Sequence, residues 1–235
     1  MRDKAFNTGM IVISMKKEVR LYIFRHGRTF FNEKHRFTGW KDSELSPAGV
    51  KDARIIALQL KKKKIGLAFT SDLSRAQQTL KEVLKYHPGV ETLVDRRLRE
   101  RSYGALEGKS HQTFIMKEGN EDYKTLLHWH KIDHLRGAEK QEFIKRLGEA
   151  ELKVRRRSFY ASPPKGESIQ AVEKRIREFL KDLFKIIKER KVNIAISAHG
   201  NSIRPIRKYF EHLTPGQTMD IEQPFDKAIV YRIKI

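Results

Sequence analysis

The chain has 235 residues, with 50 lysines and arginines against 29 aspartates and glutamates, a formal net charge of +21, and no cysteine. The missing cysteines exclude disulfides, thiolate catalysis and cysteine-ligated zinc, and no apolar run reaches the length of a membrane span. The charge admits nucleic-acid binding, attraction of small anionic metabolites, or a lysine-rich solvated surface. The lysines fall mainly at solvated helix positions and turns, as in Lys61–Lys64, and no basic run is interleaved with aromatics for base stacking. The surface reading leads, with anion steering as its consequence and no specific nucleic acid expected.

Length and a hydrophobic content of 39% suit one domain over residues 1–235. Residues 1–17 read as a flexible extension, because the apolar piece Met10–Ile13 is too short for a secretory signal. Met15 is an alternative start, and a cytoplasmic location is expected.

Val19–Phe24 predicts a buried strand that stops at Arg25-His26-Gly27. Phe30–Trp40 reads as a loop rich in aromatics and cations. Ser46-Pro47 starts a helix, with serine as N-cap and proline at the first position, and Val50, Ala53, Ala57 and Leu60 give it an apolar face. Ile65–Thr70 predicts a second strand, Ser71 or Asp72 caps a helix carrying Leu73, Ala76, Leu80, Val83 and Leu84, and Glu91–Val94 predicts a third strand. Leu98–Gly108 reads as loop. Thr113–Leu152 is mostly helical and polar; within it, residues 119–150 read as a helical insertion. There His130 and His134 share a helical face without an evident third ligand, so they read as surface histidines. Arg155–Ser168 reads as irregular. Ile169–Ile187 carries an unbroken helical stripe, Asn193–Ser197 predicts a strand, Ile203–Phe210 a short helix, and Ala228–Ile233 a final strand. Strands alternating with amphipathic helices predict an α/β three-layer sandwich, a mostly parallel central sheet flanked by helices.

In such sheets sites form beyond the carboxyl ends of the strands. Three predicted strands lead to Arg25 and His26, to Arg75, and to His199. As parallel neighbours they would bring two imidazoles and two guanidiniums into one pocket. Guanidiniums repel divalent metals but bind phosphate bidentately, and a neutral imidazole among them can attack phosphorus and hold the phosphoryl group covalently. No metal is expected. Glu100, between Arg99 and Arg101, is the leading proton carrier; a loop carboxylate paired with those arginines is the alternative reading of the same residue.

The blocks RHGRTFFNEKHRFTGWKDSELSPAG, TSDLSRAQQT, ERSYGALEG, RRRSFYASPP, GES and SAHGNSIR resemble, in order, those of the cofactor-dependent phosphoglycerate mutases of the histidine phosphatase superfamily. The resemblance implies interconversion of 3-phosphoglycerate and 2-phosphoglycerate, priming by 2,3-bisphosphoglycerate, no metal, and a small phosphorylated metabolite as partner; a homo-oligomer is compatible with it. It implies His26 as phosphohistidine nucleophile, Glu100 as proton donor and acceptor, His199 as transition-state stabiliser, and Arg25 and Arg75 as phosphate ligands. Arg28, Thr29, Asn32, Thr38, Gly39, Arg101, Tyr103, Arg155, Arg156, Gly200 and Asn201 fall at its substrate-contact positions. The family's substrate lysine after the ERxYG tyrosine is replaced by His111, with Lys109 two residues earlier as a substitute. The chain also stops soon after its last strand, where many family mutases continue into a tail that covers the site. Poorer closure would admit water to the phosphohistidine. A histidine-type phosphatase acting on small phosphorylated metabolites is therefore the alternative.

Overall fold

A computed structural model describes residues 18–129 and 132–235, and the side chain of Trp129 is not among what it describes. The expected extension at 1–17 and His130 thus lie outside the described residues. Five strands form one sheet: β1 (Glu18–Arg25), β2 (Leu67–Thr70), β3 (Glu91–Val94), β4 (Ile194–Ala198) and β5 (Ile229–Lys234), in the order β3-β2-β4-β1-β5. The first four are mutually parallel, and β5 closes the β1 edge antiparallel.

Side chains alternate across a strand, and β1 shows why the sandwich has three layers. Val19, Leu21 and Ile23 join a core with Val172, Ile176, Phe179, Leu180, Leu183 and Ile187 of α6 (Ile169–Arg190) and Ile203 and Ile206 of α7 (Gly200–Glu211). Tyr22 and Phe24 face the other way, onto Ile56, Ala57 and Leu60 of α2 (Pro47–Leu60) and Leu80 and Val83 of α3 (Ser74–Leu84). Both faces of the sheet are covered, as a parallel sheet requires.

Local signals were read with mixed success. Ser46 caps α2, its Oγ accepting from the Gly49 N–H, with Pro47 at the first turn. For α3 the expected cap is corrected: the N-cap is Leu73, whose N–H donates to Ser71 Oγ, and Asp42 from another loop accepts from the N–H and Oγ of Ser74. Asp72 instead pairs with Arg99 and Arg96. The region read as one helical insertion is a pair, α4 (His111–Trp129) and α5 (Gly137–Arg157). Their close approach rests on glycine: a Cβ at Gly119 would meet the Ile144 carbonyl at 2.0 Å, and one at Gly148 the Ile115 carbonyl at 1.9 Å. Because α5 runs through Arg157, residues 155–157 are helical rather than irregular. The short helices α1 (Phe30–Glu33) and α8 (Pro215–Asp220) complete the chain.

Candidate active site

The carboxyl ends of β1, β2 and β4 open into a cavity of ≈ 340 Å³. His26 follows β1 directly and is 3% exposed; His199 follows β4 and is fully buried, and their ring centroids lie 5.0 Å apart at 57°. The turn that delivers His26 depends on two glycines. A Cβ on Gly27 would sit 2.1 Å from the Gly49 carbonyl, and one on Gly49 would sit 1.8 Å from the Arg28 carbonyl. The β1 turn and the start of α2 therefore interlock backbone to backbone.

The His26 ring is fixed as a tautomer. Its Nδ1 lies 2.7 Å from the carbonyl oxygen of Gly27, which can only accept. Nδ1 carries the proton, and the lone pair is on Nε2. Burial first, then the Arg75 and Arg25 guanidiniums, push its pKa well below the ordinary histidine value, so the ring is neutral. Burial, Arg75 and His26 do the same to His199, whose Nε2 meets Ser71 Oγ at 2.7 Å.

Both guanidiniums are oriented by backbone. Arg75 is fully buried and donates to the carbonyls of Gly39 at 2.7 Å and Lys41 at 3.3 Å. Arg25 donates to the Gln223 carbonyl at 3.1 Å and lies 3.8 Å over the Phe225 ring. The Nε atoms of both are buried without a partner. Two cations held by neutral carbonyls, with donors to spare, form a cradle for an anion. Burial lowers the pKa of each to about 10, so both remain charged at neutral pH.

Glu100 closes the third side. Its Oε1 accepts from the N–H groups of Arg101 at 2.7 Å and Asn201 at 3.1 Å. The Glu100 carbonyl takes the Trp40 indole N–H at 2.7 Å and Arg175 Nη2 at 2.9 Å, while Arg175 pairs with Glu167 at 3.0 Å. Ligand atoms of His26, Glu100 and His199 lie within 4.8 Å of one another. That spacing would admit a divalent ion, but the Arg75 and Arg25 guanidiniums, which together with burial disfavour a positive charge on either ring, oppose a second cation between them.

Of the other expected contacts, Asn32, Thr38, Gly39, Tyr103, His111, Arg156, Gly200 and Asn201 line the cavity. Gly39 adopts φ +57°, and its carbonyl holds Arg75. Tyr103 accepts from Asn201 Nδ2 at 3.2 Å.

Five expected substrate contacts do not line the cavity. Arg28 pairs with Asp52 at 2.7 Å. Thr29 is buried as the N-cap of α1, in a capping box with Asn32. Arg101 donates to the carbonyls of Glu167 and Ala161. Arg155 pairs with Glu151 at 3.3 Å. Lys109 meets Phe37 through its backbone carbonyl, at 3.1 Å.

Sequence reading missed His35, Arg36 and Phe37, Arg157, Arg204, and the wall made by Glu222, Gln223 and Phe225. Arg204 closes the SAHGNSIR block, and that was a usable signal. The wall follows α8 in a stretch without periodicity and gave none.

Fold and site together define an α/β protein in which two buried, neutral histidines face a cradle of guanidiniums. The model of the histidine phosphatase superfamily (branch 1) matches residues 21–158 and 131–235, and the chain belongs to that superfamily. It is 31% identical to the 2,3-bisphosphoglycerate-dependent phosphoglycerate mutase of Chlamydia felis, over 90% of this chain and 92% of that one. It is 33% identical to the phosphoglycerate mutase of Schizosaccharomyces pombe, over 91% and 89%. By fold it is similar to the mycobacterial glucosyl-3-phosphoglycerate phosphatase, with a TM-score of 0.66 and 24% identity over 92% and 90% of the two chains.

Proposed function

We propose that the chain interconverts 3-phosphoglycerate and 2-phosphoglycerate through a phosphorylated His26, with 2,3-bisphosphoglycerate as priming donor. The observation that carries this reading is the state of the His26 ring: neutral, with Nδ1 committed to the Gly27 carbonyl and the Nε2 lone pair left between Arg25 and Arg75. In the forward step Nε2 attacks phosphorus, the N–P bond forms as the ester P–O bond breaks, and the departing oxygen takes a proton from Glu100. In the return step the neighbouring hydroxyl attacks, gives its proton to Glu100, and the N–P electron pair returns to Nε2. Arg25 and Arg75 stabilise charge on the phosphoryl oxygens throughout.

The unpaired Nε atoms of Arg25 and Arg75 suit one phosphate of the bisphosphate, and Arg156 and Arg157 in the same cavity suit its second anionic group. When bound, that molecule supplies a phosphoryl group to His26. The mutases at 31% and 33% identity over nine-tenths of the chain support the same reading.

A phosphatase acting on small phosphorylated metabolites is the second reading, and His111 favours it. Where the resemblance expects a lysine, this imidazole stands edge-on to Phe37, 4.6 Å between centroids. Burial, then Arg156 and His35, lower its pKa to about 4, so a neutral ring stands at that position of the cavity where the resemblance places a cation. One experiment separates the two. Mutase turnover and phosphate release are measured side by side on 3-phosphoglycerate, with and without 2,3-bisphosphoglycerate. Turnover that requires the bisphosphate supports the mutase; phosphate release indifferent to it overturns the mutase in favour of the phosphatase.

A further inference from the structure

Gln223 lines the cavity and is 5% exposed, yet neither its Oε1 nor its Nε2 has a hydrogen-bond partner. Buried side-chain amides in folded proteins are overwhelmingly paired. A buried amide unpaired at both ends, on a residue in the wall of a binding cavity, marks a contact that a ligand completes. Its position is fixed by its neighbours. The Gln223 carbonyl accepts from Arg25 Nη1, the following Pro224 disfavours a helical backbone at the residue, and the Phe225 ring lies under the Arg25 guanidinium and 6.1 Å from the His26 ring. Gln223 thus belongs to the phosphoryl end of the cavity.

The rest of the lining says what kind of group it would read. Arg25, Arg75, Arg156, Arg157 and Arg204 are donors only, suited to phosphate and carboxylate oxygens. A substrate hydroxyl must also donate. Asn32 Oδ1 already accepts from the N–H and Oγ of Thr29, Glu222 pairs with Arg157, and Glu100 Oε1 accepts from two backbone N–H groups, leaving Glu100 Oε2 for the proton transfer rather than for holding the hydroxyl before it. Gln223 Oε1 has no such commitment.

We infer that Gln223 determines specificity by reading a hydroxyl on the carbon beside the phosphorylated one, so that the site selects phosphate monoesters of vicinal hydroxy compounds over their deoxy analogues. This rests on the phosphoryl-transfer reading of the site. The test compares the wild-type chain with Gln223→Leu and Gln223→Met on two substrate pairs, each differing by one hydroxyl. The pairs are 3-phosphoglycerate against 3-phosphonooxypropanoate, and glycerol 1-phosphate against propyl phosphate. The readout is the second-order rate of His26 labelling from radiolabelled ester, a step that uses no acceptor hydroxyl and so compares the hydroxylated and deoxy members directly.

The wild-type chain is expected to favour the hydroxylated member of at least one pair by roughly tenfold or more, and both variants to bring that ratio near one. Melting temperature controls for folding; it should hold, because both replacements match glutamine in size and remove an unpaired polar group. A ratio unchanged in the variants, a wild-type chain with no preference, or no labelling of His26 by any of the four esters overturns the inference. Discrimination within the glycerol pair without turnover of 3-phosphoglycerate sinks the mutase reading and leaves the role of Gln223 standing. Turnover of 3-phosphoglycerate with an unaffected ratio does the reverse.

Discussion

Arg75 is where stability and phosphate binding oppose each other most directly. Its side chain is fully buried, its nearest carboxylate is Asp42 at 3.9 Å, and its hydrogen bonds go to two neutral carbonyls. Burial lowers its pKa to about 10. Against an ordinary value above 12, that corresponds to roughly 3 kcal/mol spent on keeping the guanidinium charged. The cost is fully present at neutral pH and is relieved only as pH rises past 10, where the folded form loses its proton before the unfolded one. Replacing Arg75 with methionine removes the charge but strands the carbonyls of Gly39 and Lys41, at about 1–3 kcal/mol each. The balance predicts that Arg75→Met falls between about 1 kcal/mol more stable and about 3 kcal/mol less stable than the wild type, a small loss for a fully buried arginine because the relieved charge offsets the stranded carbonyls. Phosphate should stabilise the wild type far more than the variant. At 100 times its dissociation constant it adds about 2.7 kcal/mol to the wild type, a rise of roughly 5–10 °C in melting temperature for a chain of this size. Arg75→Met should show little of that rise. Thermal and urea unfolding with and without inorganic phosphate measure both quantities. A variant destabilised by more than about 3 kcal/mol, or one that keeps the phosphate-dependent rise, would refute the reasoning.

The remaining predictions concern the nucleophile, the turn that holds it and the cationic rim. His26→Ala should abolish both trapping of labelled phosphate and turnover, checked by acid-quenched gels and a coupled assay. The neutral His26 ring is the reactive form, and its pKa lies well below the ordinary histidine value. The rate of His26 phosphorylation should therefore stay level as pH falls through about 6.5, where an unperturbed histidine would lose half its activity; rapid-quench measurements against pH decide this. Gly49→Ala should cost about 3 kcal/mol or more, because its Cβ would lie 1.8 Å from a backbone carbonyl that cannot swing aside; urea titration measures it. Arg156→Ala should raise KM for 3-phosphoglycerate by roughly tenfold, the loss of one charge-assisted contact, while Arg155→Ala, paired with Glu151 outside the cavity, should leave it nearly unchanged.

Much of the fold was legible because the sheet is buried on both faces. Such strands read as short apolar runs, and those at 19–24, 65–70 and 193–197 lie within two residues of the observed β1, β2 and β4; the strand at 91–94 matches as well, although three of its four residues are exposed at the sheet edge. The grouping of Arg25, His26, Arg75 and His199 was legible for the same reason: each lies at a strand end or within five residues after one, so that a parallel sheet brings them together. The cap of α3 was not legible, since Asp42 reaches Ser74 from a loop more than thirty positions upstream, and no local pattern encodes that approach. Nor was the wall at Glu222, Gln223 and Phe225, which is held in place by Arg25 rather than by any periodicity of its own.

The arginine run 155–157 shows how a boundary error becomes a site error. Read as an irregular stretch, consecutive arginines can be aimed independently, and the resemblance selected Arg155 and Arg156. In the structure α5 continues through Arg157, and a helix turns its side chains by 100° per residue. Three consecutive positions then span most of the circumference, so one of them must face away from any single cavity. Arg155 is the one turned away, with its guanidinium near Glu151 one turn back and the Ser162 carbonyl. Arg156 and Arg157 line the cavity, the latter pairing with Glu222 across its mouth. The second anion of the substrate should accordingly depend on residues 156 and 157. A KM effect at Arg155 equal to that at Arg156 would mean that the last turn of α5 unwinds when substrate binds.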